Sequence, residues 1–277
     1  GPNARDKRGR AMAGNFLLYE KDGPVVTLTM NQPEVRNIVT GNSAVDEFVA
    51  ALAAIGKDDS VRAVIITGAG PAFSAGGNIN EMKRQIGVPA AELRQEYRFG
   101  IQRLPLALYN LEVPTIAAIN GPAIGAGCDI ACMCDIRLAS ENATFAESFV
   151  KLGIVAGDGG AWFLPRIVGA SKAAEMSFTG DAITSAEALA CGLVSRVVPI
   201  AELMTEARSM AARIAANSGP AVRMTKRLIR EGMHLSLESS LEMAAAFQVL
   251  AHKTTEHAVA VDAFLEKRAL RVFERKD

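Results

Sequence analysis

Net charge is the first thing this sequence lacks: 30 Lys and Arg stand against 30 Asp and Glu in 277 residues. A balanced chain has no global field with which to gather nucleic acid or an anionic membrane surface. No apolar run approaches the ~18 residues of a membrane span. Segment 1–13 carries Arg5, Asp6, Lys7, Arg8 and Arg10 but leads into no apolar stretch of the kind a secretory signal needs. It reads as a tag outside the fold, with Gly1-Pro2 as a cleavage scar and Met12 as a native start, on a cytoplasmic protein. Cysteine and histidine are also few. Cys128, Cys132 and Cys134 fall at a C-x3-C-x-C spacing that suits no usual zinc site, so they read as small buried thiols. His252 and His257 are five apart in helical sequence, too far round to share a face and hold a metal. His234 has no nucleophile motif beside it. Neither a Pro/Ser-rich linker nor a low-complexity tract divides the chain. Its apolar fraction of 49% is that of a globular protein with a substantial core.

What is present is a pair of Gly-rich loops of similar make. Ala69–Asn78 follows the β-rich run Val64–Thr67, and Asn120–Asp129 follows Thr115–Ile119. Each leads into helix-like sequence. Helix N-termini leave backbone N–H groups unpaired, and Gly or Ala lets a ligand come close to them. Two such N–H groups aimed at one atom form an oxyanion hole, which favours a carbonyl oxygen gaining charge.

Periodicity places a strand at Val25–Met30, a helix at Ala44–Ile55 ending at Gly56, and strands at 63–67 and 115–119. Residues 79–110 read as helix broken near Gly87-Val88-Pro89, a candidate flap. A short helix from about Cys128 to Met133 precedes two short strands, 135–139 and 144–145. Beyond Gly153 the sequence is mostly helical, with one strand-like stretch at Arg196–Val198. Apolar helices at the end of a chain suit contact with another subunit.

From about Phe16 the chain resembles the crotonase (enoyl-CoA hydratase/isomerase) superfamily. The motifs that carry this occur in order: Asn31-Gln32-Pro33-Glu34-Val35-Arg36-Asn37; Arg62–Gly70 with Phe73-Ser74-Ala75-Gly76-Gly77; the Asn120–Asp129 loop closing in Cys134-Asp135-Ile136-Arg137; Gly180; Ala186, Leu189, Gly192, Leu193 and Val194; and Phe264–Arg268. The resemblance implies an α/β fold, a repeated ββα spiral core over 14–200. It also implies a helical trimerisation region over 201–277, giving a homotrimer or hexamer. It implies an acyl-CoA substrate whose thioester carbonyl is held by the Gly77 and Ala126 N–H groups. Contacts to CoA fall at Arg36, Ala75, Gly77, Phe264 and Lys267. Coenzyme A enters as part of the substrate, and no metal, redox nucleotide or prosthetic group is implied. Asn78 stands where many relatives carry Asp.

The likeness also has gaps. Hydratases of this family use two Glu residues; the first falls at Asp129, the second at Phe149, which cannot move a proton. Asp158 lies in a Gly-Asp-Gly turn like that of the superfamily's diketone hydrolases, where it is either a catalytic carboxylate or a helix cap. Glu147 is a lesser candidate. If Asp129 and Asp158 both point inward, burial and repulsion keep one of them protonated. Arg223, Lys226, Arg227 and Arg230, at helical spacing, read as a solvated face ahead of a phosphate or RNA site. The expected activity is hydration or isomerisation of an enoyl-CoA in fatty acid metabolism. The alternatives are a C–C or thioester hydrolase using Asp158, or a binder of acyl-CoA or RNA with weak catalysis.

Overall fold

The structure is a computed structural model and describes residues 16–269. The segment read as a tag lies outside those residues. Nine strands are described: β1 (Leu17–Asp22), β2 (Val25–Met30), β3 (Ala63–Gly68), β4 (Thr115–Ile119), β5 (Ala123–Ile124), β6 (Ile136–Ser140), β7 (Thr144–Ala146), β8 (Ile183–Thr184) and β9 (Arg196–Val198). The helices are α1 (Ala44–Gly56), α2 (Ile79–Gln85), α3 (Ala90–Phe99), α4 (Arg103–Asn110), α5 (Ala126–Met133) and α6 (Gly160–Val168). After them come α7 (Ala170–Thr179), α8 (Ser185–Ala190), α9 (Leu203–Ala215), α10 (Gly219–Gly232), α11 (Leu237–His252) and α12 (Thr255–Leu265).

The large sheet runs β1-β2-β3-β4-β6-β9, with β1 antiparallel to β2 and every later pairing parallel. Its central strands are buried on both faces, as parallel sheets are. Successive side chains alternate faces. Val64 and Ile66 of β3 pack in the layer that holds Phe48, Leu52 and Ile55 of α1, while Ala63 and Ile65 meet Leu203, Ala207 and Ala211 of α9. Thus α9, within the C-terminal third, covers the outer face of the sheet.

A second sheet, β5-β7-β8, is extended by a parallel bridge between Ser74 and Ala123. After each of β3, β4 and β6 the chain visits this second sheet, at Ser74, β5 and β7, and then winds into α2, α5 or α6. That is the ββα spiral expected from the sequence. Hydrophobic patterning missed β1. It also merged α3 and α4, which part at Gly100, where a Cβ would collide with the Glu96 carbonyl oxygen.

The basic stripe of α10 is solvated only at Arg227, which pairs with Glu112 and Glu231 at the surface. Lys226 is buried, lies 2.7 Å from Asp135 and donates to the Val113 carbonyl at 3.0 Å. Arg223 donates to the Val61 carbonyl, and Arg230 lies over the Tyr109 ring at 5.0 Å. These cations clamp α10 onto the sheet edge. Asp135→Ala strands the Lys226 ammonium in the interior, and removing one partner of a buried pair costs about 3–5 kcal/mol. Asp135 keeps 30% of its side chain exposed, so a loss near about 3 kcal/mol is expected in urea denaturation. The His252 and His257 rings meet at 4.5 Å because the chain turns between α11 and α12, not because one helix presents both. Among the described residues no group of three or more metal-binding side chains is gathered, and no helix is long and apolar enough to cross a membrane.

Candidate active site

Both Gly-rich loops leave the same end of the parallel sheet and interlock. The Ile124 N–H donates to the Ser74 carbonyl at 3.0 Å, and the Phe73 N–H to the Pro122 carbonyl at 3.1 Å. Two asparagines staple the pair. Asn37 donates to the carbonyls of Ala69, Ala72 and Phe73, while Asn120 donates to Gly70 and Ala72 and accepts from the Gly68 N–H. Gly76, at φ +88°, lies so close that a Cβ would collide with the Ile124 carbonyl and stand 3.1 Å from the Ala126 nitrogen. The approach therefore needs glycine for both conformation and space. Ala126 is the first residue of α5, and Gly77 immediately follows Gly76. Among the described residues neither N–H donates to a protein acceptor. Two free donors thus stand beside one another at the mouth of the loops.

Behind them lies a knot of buried acids. Every residue of α5 is buried, including Asp129 in its first turns. Asp158 and Glu147 are 3% and 2% exposed. Asp129 makes side-chain contacts of hydrogen-bonding kind with both of them. Among the described residues no donor faces either Asp129 oxygen, Asp158 Oδ1 or Glu147 Oε1. Ionised carboxylates only accept, so these contacts become hydrogen bonds only if the cluster keeps protons. Burial, and then the charge of Asp158, push Asp129 well above the usual carboxylate range. The N-terminus of α5 favours an anion, but desolvation wins. Asp158 is not the cap of α6: that place belongs to Gly159, at φ +110°, and no side chain caps the helix. Gly160 is equally constrained, because a Cβ there would overlap the Asp129 carboxylate. The Gly-Asp-Gly-Gly turn therefore brings one acid in while leaving room for another.

Tyr97 of α3 touches the same turn. Its ring carbons lie 3.0 and 3.2 Å from where a Cβ on Gly157 would stand. Burial and then the Asp158 charge raise its phenol. Phe149 packs its ring beside Gly125, the residue that precedes α5. An apolar ring thus occupies the wall where the resemblance places a second acid. Two of the buried thiols are held in their protonated form. The hydrogen bond with Cys132, then burial, raise Cys128, and burial pushes Cys134 up to about 12.

A raised carboxyl links folding to pH. The folded state retains a proton on Asp129 that the unfolded chain releases near pH ~4. The stability tied to that proton is complete below the unfolded value and is lost as pH rises through the folded one. Urea midpoints are expected to fall from pH 5 to pH 8 more steeply for the wild type than for Asp129→Asn.

Other residues expected from sequence are dispersed. Arg36 closes a 3-10 turn in the left-handed conformation, and its carbonyl accepts from the Ala75 N–H at 2.8 Å, so both border the first loop. Asn78 caps α2 by accepting from the Asn80 N–H. Phe264 is 84% exposed on α12, and no described contact brings it or Lys267 to the loops. The start of α12 is tied by Glu256 to Arg62, which precedes β3, whereas the loop follows β3. Glu147 is the member that sequence reasoning underrated. On a strand it would share a face with Phe149, but the chain leaves β7 for a 3-10 turn at Ser148–Leu152, and Glu147 is buried while Phe149 is only half-buried.

Comparison with known proteins agrees with this architecture. The family model for enoyl-CoA hydratase/isomerase matches residues 20–275. The short-chain-enoyl-CoA hydratase of Clostridium acetobutylicum is 37% identical over 265 residues, 95% of this chain and 99% of the relative. The 2,3-dehydroadipyl-CoA hydratase of Escherichia coli is 33% identical, covering 91% and 96%. Among solved structures, the enoyl-CoA hydratase of Bacillus anthracis superposes with a TM-score of 0.86 at 32% identity, over 92% of this chain and 98% of that one. With spiral, interlocked loops and whole-length likeness in agreement, the chain belongs to the enoyl-CoA hydratase/isomerase family.

Proposed function

We propose that this enzyme hydrates or isomerises an enoyl-CoA through an enolate held by the Gly77 and Ala126 N–H groups, with Asp129 and Asp158 as a proton-sharing acid and base. The observation that carries this is the meeting of two buried acids beside two unpaired backbone donors. As the α-carbon gains or loses a proton, negative charge develops on the thioester oxygen, where fixed donors stabilise it. Asp129 in its acid form can deliver a proton to carbon, and Asp158 can take one from carbon or from water. Phe149 supplies apolar wall at the position where hydratases of the family carry their second Glu.

A cavity of about 230 Å³ opens between α1, α2, α3 and α4, with Met82 and Tyr97 on its wall beside polar groups such as Asp46, Glu81 and Arg84; the free donors and the buried acids do not line it. Coenzyme A enters as part of the substrate, with Arg36 and Ala75 beside the first loop. Phe264 and Lys267 lie away from that loop in their own chain, so their contact with CoA falls across an interface between copies. Exposed Leu237, Leu241, Val249, Leu250 and Leu265 on α11 and α12 give a homotrimer or hexamer a surface to bury. The balanced charge fits a cytoplasmic enzyme with no nucleic acid or membrane partner.

One observation favours a second reading. Asp158, freed from capping, could direct water at a C–C or thioester bond. Product analysis by mass spectrometry, on a panel of enoyl-CoAs in heavy-oxygen water, separates the two. Label in a 3-hydroxyacyl-CoA supports hydration, and a moved double bond without label supports isomerisation. Free acid or a shortened acyl group instead assigns hydrolysis to Asp158.

A further inference from the structure

The three-acid knot has one member that this reaction scheme does not use. We propose that Glu147 is a positioning residue that shares a proton with Asp129 and so sets the protonation of the Asp129–Asp158 pair; the proposal rests on the reading above.

The backbone brings Glu147 there. The Gly125 N–H donates to the Ala146 carbonyl at 2.8 Å, pinning the end of β7 to the start of α5. The next residue, Glu147, is thereby carried over the first turn of α5, where Cys128 and Asp129 stand. Its side chain is 2% exposed and its Oε1 faces no donor. The groups that face it are Asp129 and Cys128 from α5 and Asp158 from the turn before α6. Behind these stand Cys132, against Cys128, and Tyr97, against Asp158. None is a cation. A buried carboxylate with no cation beside it is costly, and an apolar or amide side chain of the same length would fill the space at less expense. Burial pushes Glu147 upward, and the contacts with Asp129 and the Cys128 thiol oppose that push. Asp129 is therefore flanked by acids on two sides and by Gly160 on a third.

The proton count closes from a start in which Asp129 and Glu147 each hold a proton and Asp158 is the acceptor. When Asp129 gives its proton to carbon, it is left as an anion against Asp158. The O–H bond of Glu147 then breaks as one forms on Asp129, so the negative charge passes to Glu147. Asp158 meanwhile gains the proton lost by carbon or by water, and exchange within the cluster returns all three groups to their starting state.

Glu147→Gln tests this, because an amide keeps the length and a donor but exchanges no proton. Infrared difference titration of the free protein reads the buried acids without substrate. One carboxylic acid carbonyl band should disappear in the variant. As the pH rises Glu147 ionises first and sets a negative charge against Asp129, so with Gln there the remaining band should titrate about one pH unit lower. In turnover, the alkaline limb of kcat should move down by a similar amount, costing about tenfold at pH 8, with KM unchanged. Glu147→Met, which fills the space without titrating, should fold and show the same displacement. Glu147→Asp should restore part of the wild-type profile. Bands, midpoints and pH profiles that superimpose on the wild type in both Gln and Met variants would overturn the proposal. If the wild type turns over no enoyl-CoA, the functional reading fails, while the infrared titration still decides the role of Glu147.

Discussion

Asp129→Asn is expected to lower kcat on a confirmed enoyl-CoA by about 10²-fold or more, the usual worth of a positioned acid or base. Asparagine preserves the shape of a side chain that is wholly buried, and it relieves the repulsion with Asp158. The protein should therefore fold at least as well as the wild type, most visibly above neutral pH. Loss of turnover together with gained stability is the combination that separates a catalytic acid from a structural one. Assayed by single-turnover kinetics beside denaturation at pH 8, unchanged turnover would remove Asp129 from the chemistry. A loss of both activity and stability would mean that its carboxyl serves the fold.

The second large effect concerns Gly76→Ala. Its backbone lies in the left-handed region, with φ at +88°, and the new methyl would meet the Ile124 carbonyl oxygen and the Ala126 nitrogen, both backbone. Neither neighbour can swing aside as a flexible side chain would. The left-handed backbone alone costs about 1–3 kcal/mol in a non-Gly residue. The methyl would also push apart the two loops whose N–H groups, in the proposed reaction, meet at one oxygen. Misaligning or losing one such donor typically costs about 10²–10³-fold in kcat. A drop of that size, with a smaller change in KM, is the expected outcome. Gly23→Ala makes a useful comparison, since Gly23 is also at positive φ but has open space around it. It should lose stability without a specific loss of kcat. Equal activity in the Gly76 and Gly23 variants would show that the loop approach is not needed for turnover.

Much of this protein is legible along the chain because the relevant signals are local. Apolar runs bounded by Gly and Pro mark β3 and β4, helical periodicity marks α1 and the C-terminal helices, and paired Gly-rich loops announce free backbone donors. These depend on a few neighbouring residues and on backbone chemistry, which sequence spacing records directly. β1 was missed because its outer half, Glu20, Lys21 and Asp22, is exposed and charged, so no apolar alternation marks it. The stripe on α10 was misread for a related reason. Helical spacing shows that four cations share a face, yet only packing reveals that the face lies against Asp135 and the carbonyls of Val61 and Val113.

The acids show the same division at the site. Sequence named Asp129 and Asp158 and placed each beside a Gly-rich turn, but left Asp158 balanced between catalysis and capping. The tertiary structure gave the cap to Gly159 and turned Asp158 inward, because Gly160 leaves space for the Asp129 carboxyl at the start of α6. It likewise drew in Glu147, since β7 ends one residue earlier and the chain enters a 3-10 turn that breaks the two-residue alternation of a strand. Sequence by itself therefore determined the family, the spiral and the paired Gly-rich loops, all written in short-range patterns. Which carboxyls meet, and hence where protons are held, was decided only by long-range packing, because desolvation and charge repulsion depend on distances between segments that no spacing along the chain records.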